Sequence, residues 1–177
     1  MTAIMIILDV LMVGVAVACA VTDVLKRQIY DWITYPALAL GLILHTIGFG
    51  FGGVFDMGLV SSICGAGFCL TIFGAFFVWG KGFGAGDVKL MVALGALAGL
   101  LNALTVAMCT ALIGALMAIG LLFFTRKGLV RAKGWFARRS KTGDRAESVT
   151  VPYGVAIGLG AIWAMLIKYK VVVAIVS

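Results

Sequence analysis

A chain built from successive apolar runs of about 20 residues, joined by short polar turns, has few folds open to it. Residues 3–21, 32–51, 57–79 and 149–167 each form such a run, and residues 90–125 are 36 positions without a formal charge. A helix needs about 20 predominantly apolar residues to cross the hydrocarbon core of a bilayer. The 63% hydrophobic and 12% charged composition lies far from the roughly 45–50% and 25% of soluble domains. It excludes a water-soluble globule, and it excludes disorder, which needs low hydrophobicity and high charge. The 36-residue stretch is too short for two comfortable spans and too long for one. It reads as a short helix from 88 to about 101, a tight turn near Asn102, and a fifth helix to 124. The expected fold is therefore all-α and polytopic, with about six transmembrane helices in a single domain over residues 1–177.

The 24 glycines suit close helix approach in a bilayer, where small residues line interfaces. The cysteines Cys19, Cys64, Cys69 and Cys109 sit inside apolar runs with no C-x-x-C pair. That spacing fits neither a metal site nor a disulfide framework, so they read as small packing residues. Residues 1–20 lack the positively charged start of a cleavable signal peptide and read as a first helix that stays.

The net charge of +7 would suggest nucleic acid on a soluble protein. Here the basic residues lie between the apolar runs and set topology instead. The turns after helices one, three and five, with Lys89 just inside helix four, carry 12 of the 14 Lys/Arg. By the positive-inside rule these turns are cytoplasmic and both termini are outside. Lys168 and Lys170, on the other side, oppose this weakly. Residues 126–147, with eight Lys/Arg and two acids, form a basic cytoplasmic loop suited to anionic lipid.

Acids near a bilayer are costly and start as functional candidates. Asp23 ends helix one and Asp87 begins helix four, 64 residues later, so the topology puts both at one depth on one side. Two carboxylates about 3 Å apart cannot both ionise and share one proton. The ionised member can deprotonate water while the protonated one polarises a carbonyl, with no metal and no cofactor. Taken singly, Asp87 reads as a helix N-cap after a glycine turn, and Asp23 as a surface partner of Lys26 or Arg27. Gly84 and Gly86 lack side chains, so an extended peptide backbone has room beside Asp87. Asp9 lies 14 residues before Asp23, about 21 Å along a helix, at the outer end. Asp56 falls in an outer turn, Asp31 at the entrance of helix two, and Asp144 and Glu147 in the solvated loop. His45, the one histidine, has no partner for a triad and reads as a packing or pore-facing residue.

The segment Gly84-Ala85-Gly86-Asp87-Val88-Lys89-Leu90 resembles the GxGD-x-K-L motif of the type IV prepilin peptidases, membrane aspartic proteases of bacteria and archaea. Thr22-Asp23, followed by Arg27, Ile29 and Trp32, resembles the segment holding that family's first catalytic aspartate. Pro152-Tyr153-Gly154-Val155-Ala156 resembles its P-Y-G-x-A motif near the last helix. The three blocks fall in the family's order and cover most of the chain. The resemblance implies that Asp23 and Asp87 are the catalytic pair, with Gly84, Gly86, Lys89, Pro152, Tyr153 and Gly154 binding substrate or supporting the site. It also implies cleavage of prepilins after the glycine ending a short basic leader, at the cytoplasmic face of the bacterial inner membrane. Small size and the lack of an N-terminal extension look most like the tight-adherence (Flp) pilus branch. Larger members carry paired C-x-x-C motifs and also N-methylate the new pilin terminus; those cysteines are not found here. Two departures stand out: Ile29-Tyr30-Asp31-Trp32 replaces the common Ile-Pro-Asn-Trp, and Val155 stands where many members have proline.

Two other readings fit parts of the pattern. Presenilin-like and signal-peptide-peptidase-like proteases share G-x-G-D but pair it with Y-D and P-A-L motifs; the Pro36-Ala37-Leu38 here lies in the second apolar run, before the G-x-G-D, and the first aspartate, Asp23, precedes helix two. A small ion-coupled transporter would use glycine-broken helices and isolated acids to bind a cation, yet Asp23 and Asp87 lie at helix ends and no internal repeat is evident.

Overall fold

Because these helices are apolar on all sides, polarity cannot decide which face of each turns inward; residue size does. In the computed structural model, which describes residues 2–26, 28–79, 84–124 and 153–176, helix α1 (Thr2–Lys26) buries Leu8, Met12, Ala16 and Cys19, while Ile6, Val10, Val17 and Val21 face outward. That spacing is one stripe of a 3.6-residue helix. Helix α2 (Asp31–Phe49) buries Thr34, Ala37, Gly41 and His45, and α3 (Leu59–Trp79) buries Ser62, Gly65, Cys69 and Phe73. Small and weakly polar side chains thus line much of the inside, as bilayer interfaces favour when hydrophobicity cannot drive helices together, with Leu8, Met12 and Phe73 filling the space between them. All four cysteines are free thiols, three of them buried.

The fourth element, α4 (Ala85–Phe124), is the centre of the bundle, and α5 (Tyr153–Val176) completes it. Helix α4 packs against each of the other four. Leu90, Met91, Ala93, Leu94, Ala96, Leu97 and Ala98 are almost wholly buried. The backbones come very close here: a Cβ placed on Gly41 would lie 2.9 Å from the Ala96 carbonyl carbon, and one on Gly65 only 2.5 Å from the Gly95 oxygen. Gly41, Gly65, Gly95 and Gly160 therefore serve helix contact, as the composition predicts, while Gly14, Gly67 and Gly120 face open space. Helices α1, α2, α3 and α4 are long and apolar enough to cross a membrane, and the protein is an all-helical, polytopic membrane protein.

Hydropathy places a turn near Asn102; the structure breaks α4 at Gly99 instead, with φ +72° and ψ 170°. Hydropathy registers where charge is missing, whereas a left-handed backbone needs a residue without a Cβ, and Gly99 supplies it. Asn102 is already inside the second arm, and its side-chain amide donates to the Ala98 carbonyl at 3.0 Å. The two arms run in opposite directions. Asp87, near the start of the first, is within electrostatic reach of Asp23; Asn102 lines a cleft with Asp9 and Lys168; and Gly114 has returned to the Tyr153 ring. Helices four and five of the hydropathy reading are thus the arms of one element that doubles back.

The far end of the bundle, opposite the two aspartates, is closed by an ion pair. The Lys168 ammonium donates to both oxygens of Asp9 at 2.8 Å, and the Tyr169 hydroxyl donates to the same carboxylate at 3.3 Å. Asp9 is 6% exposed. A cleft of about 270 Å³ opens beside this pair, at the end away from Asp23. The Lys168 side chain is 29% exposed and that of Asp9 9%, so removing the lysine leaves the more buried charge uncompensated, costing up to about 3 kcal/mol, whereas replacing both by apolar residues can be neutral. Lys168→Met is accordingly expected to lower the amount of folded protein in membranes, and Asp9→Leu with Lys168→Met to restore most of it. Equal loss in the single and double variants would show that the pair does not hold α1 to α5. The basic loop 126–147, Arg27 and Pro152 lie outside the described residues.

Candidate active site

Two helix N-termini meet at the other end of the bundle, and each holds a carboxylate. A helix leaves its first four N–H groups without partners, and those groups carry the positive end of the helix dipole. In α4, Gly84 is the residue before the helix and Asp87 lies three positions on. The Asp87 backbone N–H donates to the Gly84 carbonyl at 3.1 Å, and the Gly84 N–H donates back to Asp87 Oδ2 at 3.2 Å. Asp87 is therefore not the N-cap itself; from the third position it makes the return half of a capping box, with its carboxylate folded back over the helix start. It is 8% exposed.

Asp23 comes from the last turn of α1, yet its carboxylate is held by α5. The Gly154 N–H, the second of that helix, donates to Asp23 Oδ2 at 2.9 Å across 131 residues of sequence. The approach depends on glycine: a Cβ at position 154 would lie 2.7 Å from Oδ2 and 2.8 Å from the Asp23 Cβ. Lys26 is not its partner; that ammonium stands 5.5 Å from the Tyr30 ring centre. The two carboxylates are near enough to act on each other electrostatically. Asp23, Asp87, Gly84, Gly154 and Tyr153 are thus brought to one place. Pro152 lies outside the described residues.

The remaining candidates divide. Gly84 is exposed beside the Asp87 carboxylate. Gly86 instead receives the short α1–α2 connection: its missing Cβ would sit 3.0 Å from the Ile29 Cβ, so its space is used by packing. Lys89 points away from the aspartates, donating to both oxygens of Asp31 at 2.8 Å and lying 5.5 Å from the Tyr35 ring centre. Asp31, which departs from the family pattern, has this lysine as its counterpart. Both side chains are well exposed, at 40% and 50%, and exposed pairs contribute little. Asp31→Asn is expected to change cleavage by less than about threefold and to leave protein abundance unchanged. A loss well beyond that, measured as cleavage rate, would place Asp31 in the site.

Sequence reasoning missed three of these contacts. The Gly154 N–H is backbone, so no side-chain pattern signals it. The Lys89–Asp31 and Lys168–Asp9 pairs were findable, since each joins opposite charges at one level of two runs.

Comparison with curated proteins and with solved structures found no match. A family model described as the type IV leader peptidase family matches residues 10–119. The matched span runs from within α1 through most of α4 and includes Asp23 and Asp87, and it ends before the Tyr153-Gly154 segment. The chain belongs to the type IV leader peptidase family.

Proposed function

We propose that this protein is an aspartic endopeptidase that removes the short basic leader from Flp-type prepilins at the cytoplasmic face of the bacterial inner membrane. The observation that carries the reading is the pairing of Asp23 and Asp87, each bonded to a backbone N–H at a helix start and within electrostatic reach of the other. An aspartic dyad works with one proton shared between two carboxyl groups. The ionised one takes a proton from water, whose oxygen attacks the carbonyl carbon of the leader glycine. The protonated one donates to the carbonyl oxygen as the tetrahedral intermediate forms. Collapse of that intermediate breaks the C–N bond, and a carboxyl proton passes to the departing amine. The exposed Gly84 edge beside Asp87 suits an extended substrate backbone.

Lys168 supports the orientation. It is one of the two basic residues opposing the charge bias, and its charge is matched by Asp9.

The test is a Flp-type prepilin incubated with membranes containing the wild-type chain, with product mass read by mass spectrometry. A fragment beginning directly after the leader glycine supports the reading. Uncut precursor beside correctly folded chain overturns the substrate class.

A further inference from the structure

The break at Gly99 removes the regular ladder where α4 turns. In an unbroken helix the carbonyls of residues 95–98 would accept from the N–H groups of 99–102; around a residue at φ +72° they cannot all do so. A buried backbone polar group without a partner is costly, above all in a bilayer. Side chains take over these bonds. Ser62 Oγ donates to the Ala96 carbonyl at 2.6 Å, and the Leu100 N–H donates to Ser61 Oγ at 3.1 Å. His45 Nε2 lies 3.1 Å from the Leu97 carbonyl. A carbonyl only accepts, so Nε2 carries the hydrogen. His45 and Ser62 are fully buried and Ser61 is 4% exposed. Three polar residues from α2 and α3 thus converge on one corner of α4.

This corner lies 12 residues from Asp87, about 18 Å along the first arm. The arm itself is lined with Ala, Leu and Gly. Close contacts at Gly41, Gly65 and Gly95 hold the arm against α2 and α3. Hydrogen bonds are directional and set the register.

We propose that His45, Ser61 and Ser62 are positioning residues: by holding the Gly99 corner they fix the axial position of the arm that carries Asp87, and so its alignment with Asp23. The inference rests on Asp23 and Asp87 being the catalytic pair, and its test has a readout independent of cleavage. Misplacement by about 1 Å can cost up to about 10²-fold in rate. His45→Leu is expected to lower kcat for prepilin cleavage about 10- to 100-fold, with KM changed less than about twofold. In a chain whose native cysteines are replaced by alanine, Asp23→Cys and Asp87→Cys should be joined in membranes by a short bifunctional thiol reagent, and adding His45→Leu should cut the yield at least about fivefold. His45→Gln, which can place an N–H near the same carbonyl, should regain most of both.

Wild-type kcat and cross-linking in His45→Leu would overturn the proposal, as would a fall in kcat with cross-linking intact. If His45→Leu does not accumulate, Ser62→Ala makes the same test with a smaller change, expected at about threefold in each readout; unchanged values there would overturn it too. If wild-type chain cuts no prepilin, the functional reading fails, and the cross-linking yield alone still decides whether the corner sets the arm.

Discussion

Replacing Asp87 with asparagine is expected to reduce prepilin cleavage by at least about 10³-fold, within the range that loss of general acid–base catalysis produces, while the amount of protein in the membrane stays the same. The structure explains why the two effects separate. Asp87 contributes to the fold by accepting from the Gly84 N–H, and an asparagine Oδ1 can accept the same bond. What asparagine cannot do is ionise or pass on a proton. Asp23→Asn should behave alike, since its bond from Gly154 also survives in an amide. On the proposed dyad, in which the two carboxylates act as one unit, the double variant should be no slower than either single one. Measured rates that multiply would show two independent contributions and sink the dyad. A single variant that cleaves at the wild-type rate removes that residue from the site.

Gly154→Ala is the second large effect. The added methyl would lie within 2.9 Å of Oδ2, Cβ and Cγ of Asp23, so no rotation of this short side chain relieves it and α1 or α5 must shift. Cleavage is expected to fall about 10²-fold. Gly158, one turn further along α5, supplies the control: its added Cβ would press on Ala20 at 3.0 Å and on the Ala16 carbonyl at 3.3 Å, loading the same helix pair without touching the carboxylate. Gly158→Ala should retain most activity. Equal losses would assign the effect to helix packing and not to the position of Asp23.

The fold was largely legible because bilayer thickness makes helix length a countable property: the apolar runs at 3–21, 32–51 and 57–79 coincide with α1, α2 and α3 to within a few residues at most boundaries, with α1 running five residues beyond its run. The reversal in α4 was legible in length alone, and its place was not, since Gly99 and Asn102 are equally uncharged. At the site, the common depth of Asp23 and Asp87 followed from topology. Their actual partners did not, since both are backbone N–H groups whose availability depends on where a helix starts. Gly86 shows the opposite failure. A missing side chain looks like room for a substrate, but in the folded chain Ile29 fills it. His45 was read by elimination, and its bond to Leu97 became visible only once the break beside it was known.

The bond from Gly154 to Asp23 also ties activity to biosynthesis. Asp23 and Asp87 are both translated well before position 154, so a ribosome-bound chain already inserted as α1 to α4 carries the two carboxylates without the N–H that orients the first of them. On the proposed dyad, the carboxylate pair is complete in its geometry only once α5 has joined α1 to α4, so a chain arrested before position 154 is expected to cut no prepilin.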